Sequence, residues 1–219
     1  MELSEVNIKK PIFIVSPPRS GSSLIASLID FAGIFGGDMK PADEWNKKGY
    51  FENFQLRRIL IDFLRENDSQ LLYKRFHPVN LATTIEGLRE IIVNIMLNEG
   101  INPGQRFFLK NFKMVFAWKS FYNSFPDAKW IFIERNQKNM VNSMINAPFL
   151  VHNNENDWNE FLHSFNENIR GIKNYADTYT LQIENVLTNV DEVMKLFAFC
   201  DIEYNPEVLN LIDRSLIHE

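Results

Sequence analysis

Short apolar runs alternate with longer amphipathic segments along the chain. The runs are rich in β-branched and aromatic residues, a composition that favours β-strands. They predict strands at Ile12–Val15, Arg106–Leu109, Trp130–Ile133 and Thr178–Ile183, with a weaker one near Gln70–Tyr73. The first and third of these runs are each followed by a polar turn and then by a helical pattern.

In the segments between the strands, apolar residues recur three and four positions apart, which is the spacing of one helix face. In the first segment Leu24, Ile25 and Leu28 share that face, and Gly33 marks a plausible end. The pattern predicts helices at Ser22–Ala32, Phe54–Arg65, Thr83–Leu97, Asn139–Ile145, Asn156–Tyr175, Asn189–Phe199 and Pro206–Ile212. Strands that alternate with helices predict a three-layer α/β/α fold with a mostly parallel central sheet.

Length and composition limit the possible architecture and partners. No internal repeat or low-complexity linker divides the 219 residues, so residues 1–219 are predicted to form one domain. A net charge of −5 argues against general nucleic-acid binding, which needs a basic face. Cys200 is the single cysteine, and a chain without an intrachain disulfide favours a reducing compartment. Since neither a signal peptide nor a membrane-length apolar run is apparent, we expect a cytoplasmic protein with no membrane span.

The turn after the first predicted strand reads SPPRSGSS, from Ser16 to Ser23. Compared with a Walker A loop, G-x-x-x-x-G-K-S/T, Gly21 and Ser23 match, whereas Ser16 replaces the first glycine and Ser22 replaces the lysine. A strand, a turn and a helix N-terminus still offer N–H groups and a positive dipole end to an anion. The loop adds further donors from Arg19, Ser20, Ser22 and Ser23. The alternative is a helix start at which serines act as N-caps.

A second polar turn follows the third predicted strand. Arg135 stands at its carboxyl end, Asn136 can cap the next helix, and Ser143 lies about two turns into that helix. Ligands of open α/β sheets collect at the carboxyl ends of strands, so Arg135 and Ser143 are placed to meet one phosphate. The alternative is a surface arginine and a solvent-facing serine.

Both stretches resemble motifs of sulfotransferases that use 3′-phosphoadenosine 5′-phosphosulfate (PAPS). PPRSGSSLI is similar to the 5′-phosphosulfate loop of that family, usually written PKSGTTW or PRSGTTL. ERNQKNMVNSM resembles its 3′-phosphate motif, in which a serine follows an arginine after eight positions. The resemblance implies that the 5′-phosphosulfate is bound by Arg19, Ser20, Gly21, Ser22 and Ser23, and the 3′-phosphate by Arg135 and Ser143. It also implies a P-loop NTPase-like fold, release of 3′,5′-adenosine bisphosphate (PAP), and a reaction that needs no metal.

Sulfuryl transfer moves an SO3 group to a hydroxyl or amine of an acceptor. By analogy with phosphoryl transfer, positioning and cationic stabilisation should carry most of the catalysis. The resemblance implies that Arg19 neutralises charge on the leaving phosphate oxygen. The family commonly has a lysine where Lys110 follows the second strand, so Lys110 is a candidate for contact with the sulfonate and Lys113 comes next. The alternative for Lys110 is an exposed lysine after a strand.

The general base is the residue least determined by the sequence. Cytosolic members of the family have a histidine two residues after that lysine, where this chain has Phe112. Other branches use a glutamate downstream of the first loop, and this chain offers Glu52, Glu44 and Asp38, in that order of preference. A carboxylate beside an apolar acceptor pocket can have a raised pKa and accept a proton. His77 is a rival base from another segment.

The acceptor is expected to be a small molecule, glycan or lipid, bound by Trp45, Tyr50, Phe51 and the helix around Phe149–Phe165, unless these aromatic residues are plain core. Two other functions stay open. A P-loop nucleotide kinase or hydrolase would need a Walker lysine and a magnesium-binding acid, and neither is clear in the sequence. A non-catalytic nucleotide-binding module would keep the phosphate sites without a base.

Overall fold

The structure is a computed structural model that describes residues 10–44, 46, 48–67, 84–147, 150 and 154–212. Its sheet contains β1 (Ile12–Ile14), β2 (Phe108–Lys110), β3 (Lys129–Glu134) and β4 (Asp177–Gln182). The strands lie in the order β2-β1-β3-β4, and each neighbouring pair is parallel. This confirms the mostly parallel sheet. The weaker strand predicted near Gln70–Tyr73 lies outside the described residues.

Helices cover both faces of this sheet. Within the described ranges the α-helices are α1 (Ser22–Phe31), α2 (Phe54–Asn67), α3 (Leu88–Asn98), α4 (Trp118–Ser124), α5 (Gln137–Ile145), α6 (Glu155–Lys173), α7 (Ile183–Thr188) and α8 (Val190–Phe199). Among the described residues, 3₁₀ helices also span Phe112–Ala117 and Pro206–Leu211. None of the helices in these ranges is both long enough and apolar enough to cross a bilayer.

The side chains of β1 show how the layers form. Successive residues of a strand point to opposite faces. Ile12 and Ile14 belong to the hydrophobic cluster that contains residues of α1, α7 and α8, whereas Phe13 and Val15, the residue after β1, belong to the cluster that contains residues of α2, α3, α4 and α6. All four are fully buried. An unbroken apolar run is what a strand buried on both faces requires, and the three-layer α/β/α fold is confirmed.

Some predicted boundaries differ from the structure. Arg106 does not begin a strand: β2 starts at Phe108, and the Arg106 guanidinium donates to the backbone oxygens of Lys10 and Cys200. Ile183 begins α7 instead of ending β4. The helix predicted from Thr83 starts at Leu88, after a Gly87 held at φ 63°. The short helices α4 and α7 were missed, since seven and six residues are too few to display a helical period.

The strand order places three loops at one edge of the sheet. Because β1 lies between β2 and β3, the chain passes to one side of β1 and later returns to the other. The turns that follow these three strands therefore meet at their carboxyl ends. Such a switch in direction creates the crevice where open α/β sheets bind ligands.

Candidate functional site

The loop between β1 and α1 has a constrained backbone. Arg19 and Gly21 both have left-handed conformations, with φ of 65° and 89°. Left-handed residues in such loops turn backbone N–H groups into a concave surface that binds anions. A Cβ added at Gly21 would lie 2.6 Å from Cγ1 of Ile183, so α7 leaves room only for glycine. Both the backbone angle and this close approach require the glycine found there.

The serines of this loop are not N-caps. Gly21 is the N-cap of α1, and no side chain makes a capping hydrogen bond. The hydroxyls of Ser16 and Ser20 are buried and find no hydrogen-bond partner among the described residues, while Ser22 begins α1. Since a buried hydroxyl without a partner costs about 1–3 kcal/mol, these groups point to a ligand. An anion fits, because hydroxyl and N–H groups both donate to it.

The two arginine motifs meet at this loop. Arg19 Nε donates to Ser143 Oγ at 2.9 Å, and Arg135 Nη1 donates to the backbone oxygen of Arg19 at 2.9 Å. Burial, followed by the positive charge of Arg135, lowers the pKa of Arg19. Burial also lowers the pKa of Arg135, against the charge of Glu184. Two half-buried cations that repel each other form a site that an anion would stabilise.

Lys110 connects the loop after β1 with the segment that contains Tyr50 and Glu52. It ends β2 and is only 6% exposed, so the alternative of an exposed lysine is wrong. Its Nζ donates to the backbone oxygen of Tyr50 at 2.7 Å and to Ser23 Oγ at 3.2 Å, and lies 3.6 Å from Oε1 of Glu52. Burial lowers the pKa of Lys110, and the Glu52 carboxylate opposes that effect. The ammonium thus touches both the loop and a candidate base.

Glu52 is the carboxylate that the structure joins to this cluster. Beyond Lys110, its Oε2 accepts a hydrogen bond from Asn111 Nδ2 at 3.4 Å and lies 3.9 Å from Arg57 Nε. A carboxylate placed beside Lys110 and the loop after β1 can serve as the proton acceptor of a transfer reaction.

The other two carboxylate candidates lie apart. Glu44 is exposed, and no contact connects it with Lys110 or the loop after β1. Asp38 is also exposed, and its backbone N–H donates to Oε2 of Glu99 at 2.8 Å. Its backbone oxygen accepts from the N–H of Phe54 at 3.0 Å, so Asp38 helps to hold the start of α2 in place.

The proposed acceptor residues are only partly described. Tyr50 is half-buried and gives its backbone oxygen to the site, while Phe51 is half-buried against the α1 side of the core. Trp45, His77 and Phe149 lie outside the described residues.

Sequence reasoning missed three polar contributors. Asn46 Nδ2 donates to Ser23 Oγ at 3.0 Å, while Asn111 and Arg57 contact Glu52. Asn111 also caps the following 3₁₀ helix by accepting from the N–H of Lys113 at 3.0 Å. Asparagine at the start of a helix was the available signal for Asn111, whereas no local pattern marks Asn46 or Arg57.

Lys113 carries a buried charge behind the site. It is 9% exposed, and its Nζ lies 4.1 Å from the centroid of the Phe112 ring. Burial lowers the pKa of Lys113 to about 8, with partial opposition from Glu52. The folded state therefore binds fewer protons than the unfolded state between about pH 8 and the ordinary lysine pKa of about 10.4. The free energy of unfolding should therefore rise with pH across that window. Below about pH 8 the full energetic cost of burying the charged Lys113 side chain is present.

Replacing Lys113 with Met should remove that penalty. We expect the free energy of unfolding at pH 7 to rise by up to roughly 3 kcal/mol, and the gain to vanish as the pH rises through the same window. Urea unfolding at several pH values measures this, with Lys119→Met as an exposed lysine control. A Lys113→Met protein that is less stable than the unsubstituted chain at every pH would contradict the expectation.

Comparison with known proteins gives one family match. A family model described as the Sulfotransferase family matches residues 11–206, a span that includes all of the contacts in the cluster around Arg19, Lys110 and Arg135. No curated protein matches the sequence.

Solved structures resemble the fold at low sequence identity. The sulfotransferase domain of the curacin biosynthetic pathway has a TM-score of 0.59 and 17% identity, covering 94% of this chain and 78% of that chain. A sulfotransferase of Mycobacterium avium has a TM-score of 0.56 and 13% identity, covering 96% of this chain and 68% of that chain. A sulfotransferase of Mycobacterium tuberculosis H37Rv has a TM-score of 0.52 and 15% identity, covering 99% of this chain and 74% of that chain. At these identities the likeness is one of fold.

Proposed function

The chain belongs to the sulfotransferase family, and from this premise we propose that it transfers a sulfuryl group from PAPS to a hydroxyl or amine of a small-molecule, glycan or lipid acceptor. The observation that carries the choice of donor is the contact between the two arginine motifs. Arg19 bonds to Ser143, and Arg135 bonds to the backbone of Arg19. A nucleotide with two separate anionic groups suits two adjacent cationic sites.

The 5′-phosphosulfate is assigned to the loop after β1. Its ligands are the backbone and side chains of Arg19, Ser20, Gly21, Ser22 and Ser23. The unpartnered hydroxyl of Ser20 and the left-handed conformation of Gly21 support this assignment. The 3′-phosphate is assigned to Arg135 and Ser143, and the lowered pKa of both arginines is consistent with anions that would offset their buried charge.

The residues around Lys110 are assigned to the transfer step. PAPS supplies an activated SO3 group, whose bond to the 5′-phosphate oxygen breaks as a bond to the acceptor oxygen or nitrogen forms. Arg19 stabilises the leaving phosphate oxygen, and Lys110 stabilises the sulfonate oxygens. Glu52 takes the acceptor proton, which is consistent with its 3.6 Å separation from Lys110 Nζ.

One contact bears on the kinase or hydrolase alternative. Lys110 brings an ammonium to within 3.2 Å of Ser23 Oγ, although the Walker lysine position itself is Ser22. A cation near the loop is therefore consistent with a kinase or hydrolase as well as with a sulfotransferase. The pair formed by Arg135 and Ser143 separates them, because a nucleoside triphosphate has no phosphate on its 3′ side.

The same contacts favour an enzyme over a module that only binds nucleotide. What supports an enzyme is the buried Lys110, which places an ammonium 3.2 Å from Ser23 Oγ and 3.6 Å from the Glu52 carboxylate, a candidate proton acceptor. We also propose that residues 1–219 act as one domain, since the two core clusters lie on opposite faces of one sheet. The direct test of the proposed function is whether PAP, and not Mg-ATP, stabilises the fold.

A further inference from the structure

The hydroxyl of Ser23 receives two hydrogen bonds. Lys110 Nζ donates to its oxygen at 3.2 Å, and Asn46 Nδ2 donates to the same oxygen at 3.0 Å. A serine hydroxyl has two acceptor lone pairs and one O–H donor. With both lone pairs engaged, its proton has to point away from Lys110 and Asn46. No group among the described residues accepts that proton, so it is available to a ligand of the loop after β1.

Asn46 is held in place by its own turn. Its backbone N–H donates to Oδ1 of Asp43 at 3.0 Å, and its backbone oxygen accepts from the N–H of Asp43 at 3.2 Å. Asp43 is fixed in turn, because the Tyr50 hydroxyl lies 2.9 Å from both of its oxygens and Lys40 Nζ lies 3.5 Å away. These contacts fix the backbone of Asn46, from which its Nδ2 reaches Ser23 Oγ.

We propose that Asn46 is a positioning residue that holds the Ser23 hydroxyl as a hydrogen-bond donor toward the 5′-phosphosulfate. The proposal rests on the function proposed above, and nothing in the sequence motifs assigns a role to Asn46. The neutral amide of Asn46 adds no charge to the loop, and the hydrogen bond that it donates fixes the direction in which the Ser23 O–H points. Aspartate has the same size but only accepts hydrogen bonds. With aspartate in place of Asn46, the Ser23 O–H would donate to the aspartate carboxylate. That carboxylate would also repel the 5′-phosphosulfate.

The test compares two nucleotides that differ only on the 5′ side. PAP carries both phosphates, whereas adenosine 3′-phosphate lacks the 5′-phosphate that Ser23 would contact. We expect Asn46→Asp to weaken PAP binding by roughly 10- to 100-fold, the value of a lost charge-assisted hydrogen bond. Binding of adenosine 3′-phosphate, measured by competition, should be unchanged. Asn46→Ala should cause a smaller loss, again confined to PAP.

A double-mutant cycle shows whether Asn46 acts through Ser23. In a Ser23→Ala background, Asn46→Ala should cause no further loss of PAP affinity, because the hydroxyl that it orients is gone. Additive losses, or equal losses for PAP and adenosine 3′-phosphate, would overturn the proposal and leave Asn46 as an ordinary loop residue. An unsubstituted protein that binds PAP, with variants that bind it equally well, overturns only the role of Asn46. An unsubstituted protein that binds neither nucleotide overturns the proposed donor as well.

Discussion

Replacing Glu52 with Gln should lower the turnover number for sulfuryl transfer by about 10²- to 10⁴-fold, the usual contribution of a positioned general base. Gln keeps the size of the side chain and can still accept from Asn111, but it cannot take the acceptor proton. PAP affinity should be largely retained, because the groups assigned to the phosphates belong to other residues. The measurement is conversion of PAPS to PAP with a hydroxyl or amine acceptor that the unsubstituted protein sulfates, alongside calorimetric titration with PAP.

The two other carboxylate candidates provide matched controls for this variant. Glu44→Gln and Asp38→Asn remove the same charge from exposed positions that do not contact Lys110. Both variants should turn over at the rate of the unsubstituted protein. Full activity in Glu52→Gln together with a large loss in either control would move the base to that other carboxylate. Thermal melts of each variant separate a lost proton acceptor from a lost counter-charge for buried Lys110.

Replacing Arg135 with Ala should remove most of the preference for a 3′-phosphate. We expect PAP affinity to fall by roughly 10- to 100-fold, since a hydrogen bond to a charged group contributes about 1.5–3 kcal/mol. Affinity for adenosine 5′-phosphate should change far less, because that ligand has no phosphate at this position. The ratio of the dissociation constants for PAP and adenosine 5′-phosphate therefore tests the assignment of Arg135 to the 3′-phosphate more directly than either constant alone.

The controls for Arg135 separate geometry from charge. Arg135→Lys keeps the charge but loses the planar fork of donors, so it should recover only part of the PAP affinity. Lys138→Ala removes an exposed cation from α5 and should leave the ratio unchanged. An unaltered ratio in Arg135→Ala would refute its assignment to the 3′-phosphate.

Much of the fold was predictable because its strands are short and buried. Ile12–Ile14 and Lys129–Glu134 have the apolar, β-branched and aromatic composition that indicates strands, and the long helices α6 and α8 show a clear period. Their ends were less predictable: β2 begins at Phe108 and not at Arg106, whose side chain contacts Lys10 and Cys200 from distant parts of the chain. Helices as short as α4 contain too few residues for a period to be recognised.

The meeting of the two arginine-containing motifs was also predictable, because each follows a strand and so reaches the same edge of the sheet. What the sequence could not supply was the relation between distant segments. The sequence offered three carboxylates as candidates for the base, and it could not show that Glu52 lies 3.6 Å from Lys110 Nζ. Asn46 was missed because its contact with Ser23 joins residues 23 positions apart with no shared pattern.

The central claim is that the cluster around Arg19 and Arg135 binds a nucleotide phosphorylated on both its 5′ and 3′ sides. Thermal unfolding with added ligand tests it most directly. PAP at about 100 times its dissociation constant should stabilise the fold by about 2.7 kcal/mol, a rise in melting temperature of about 5–10 °C. Mg-ATP at the same concentration should leave the melting temperature unchanged. A flat melt with PAP, or a rise with Mg-ATP as large as that with PAP, would contradict the account.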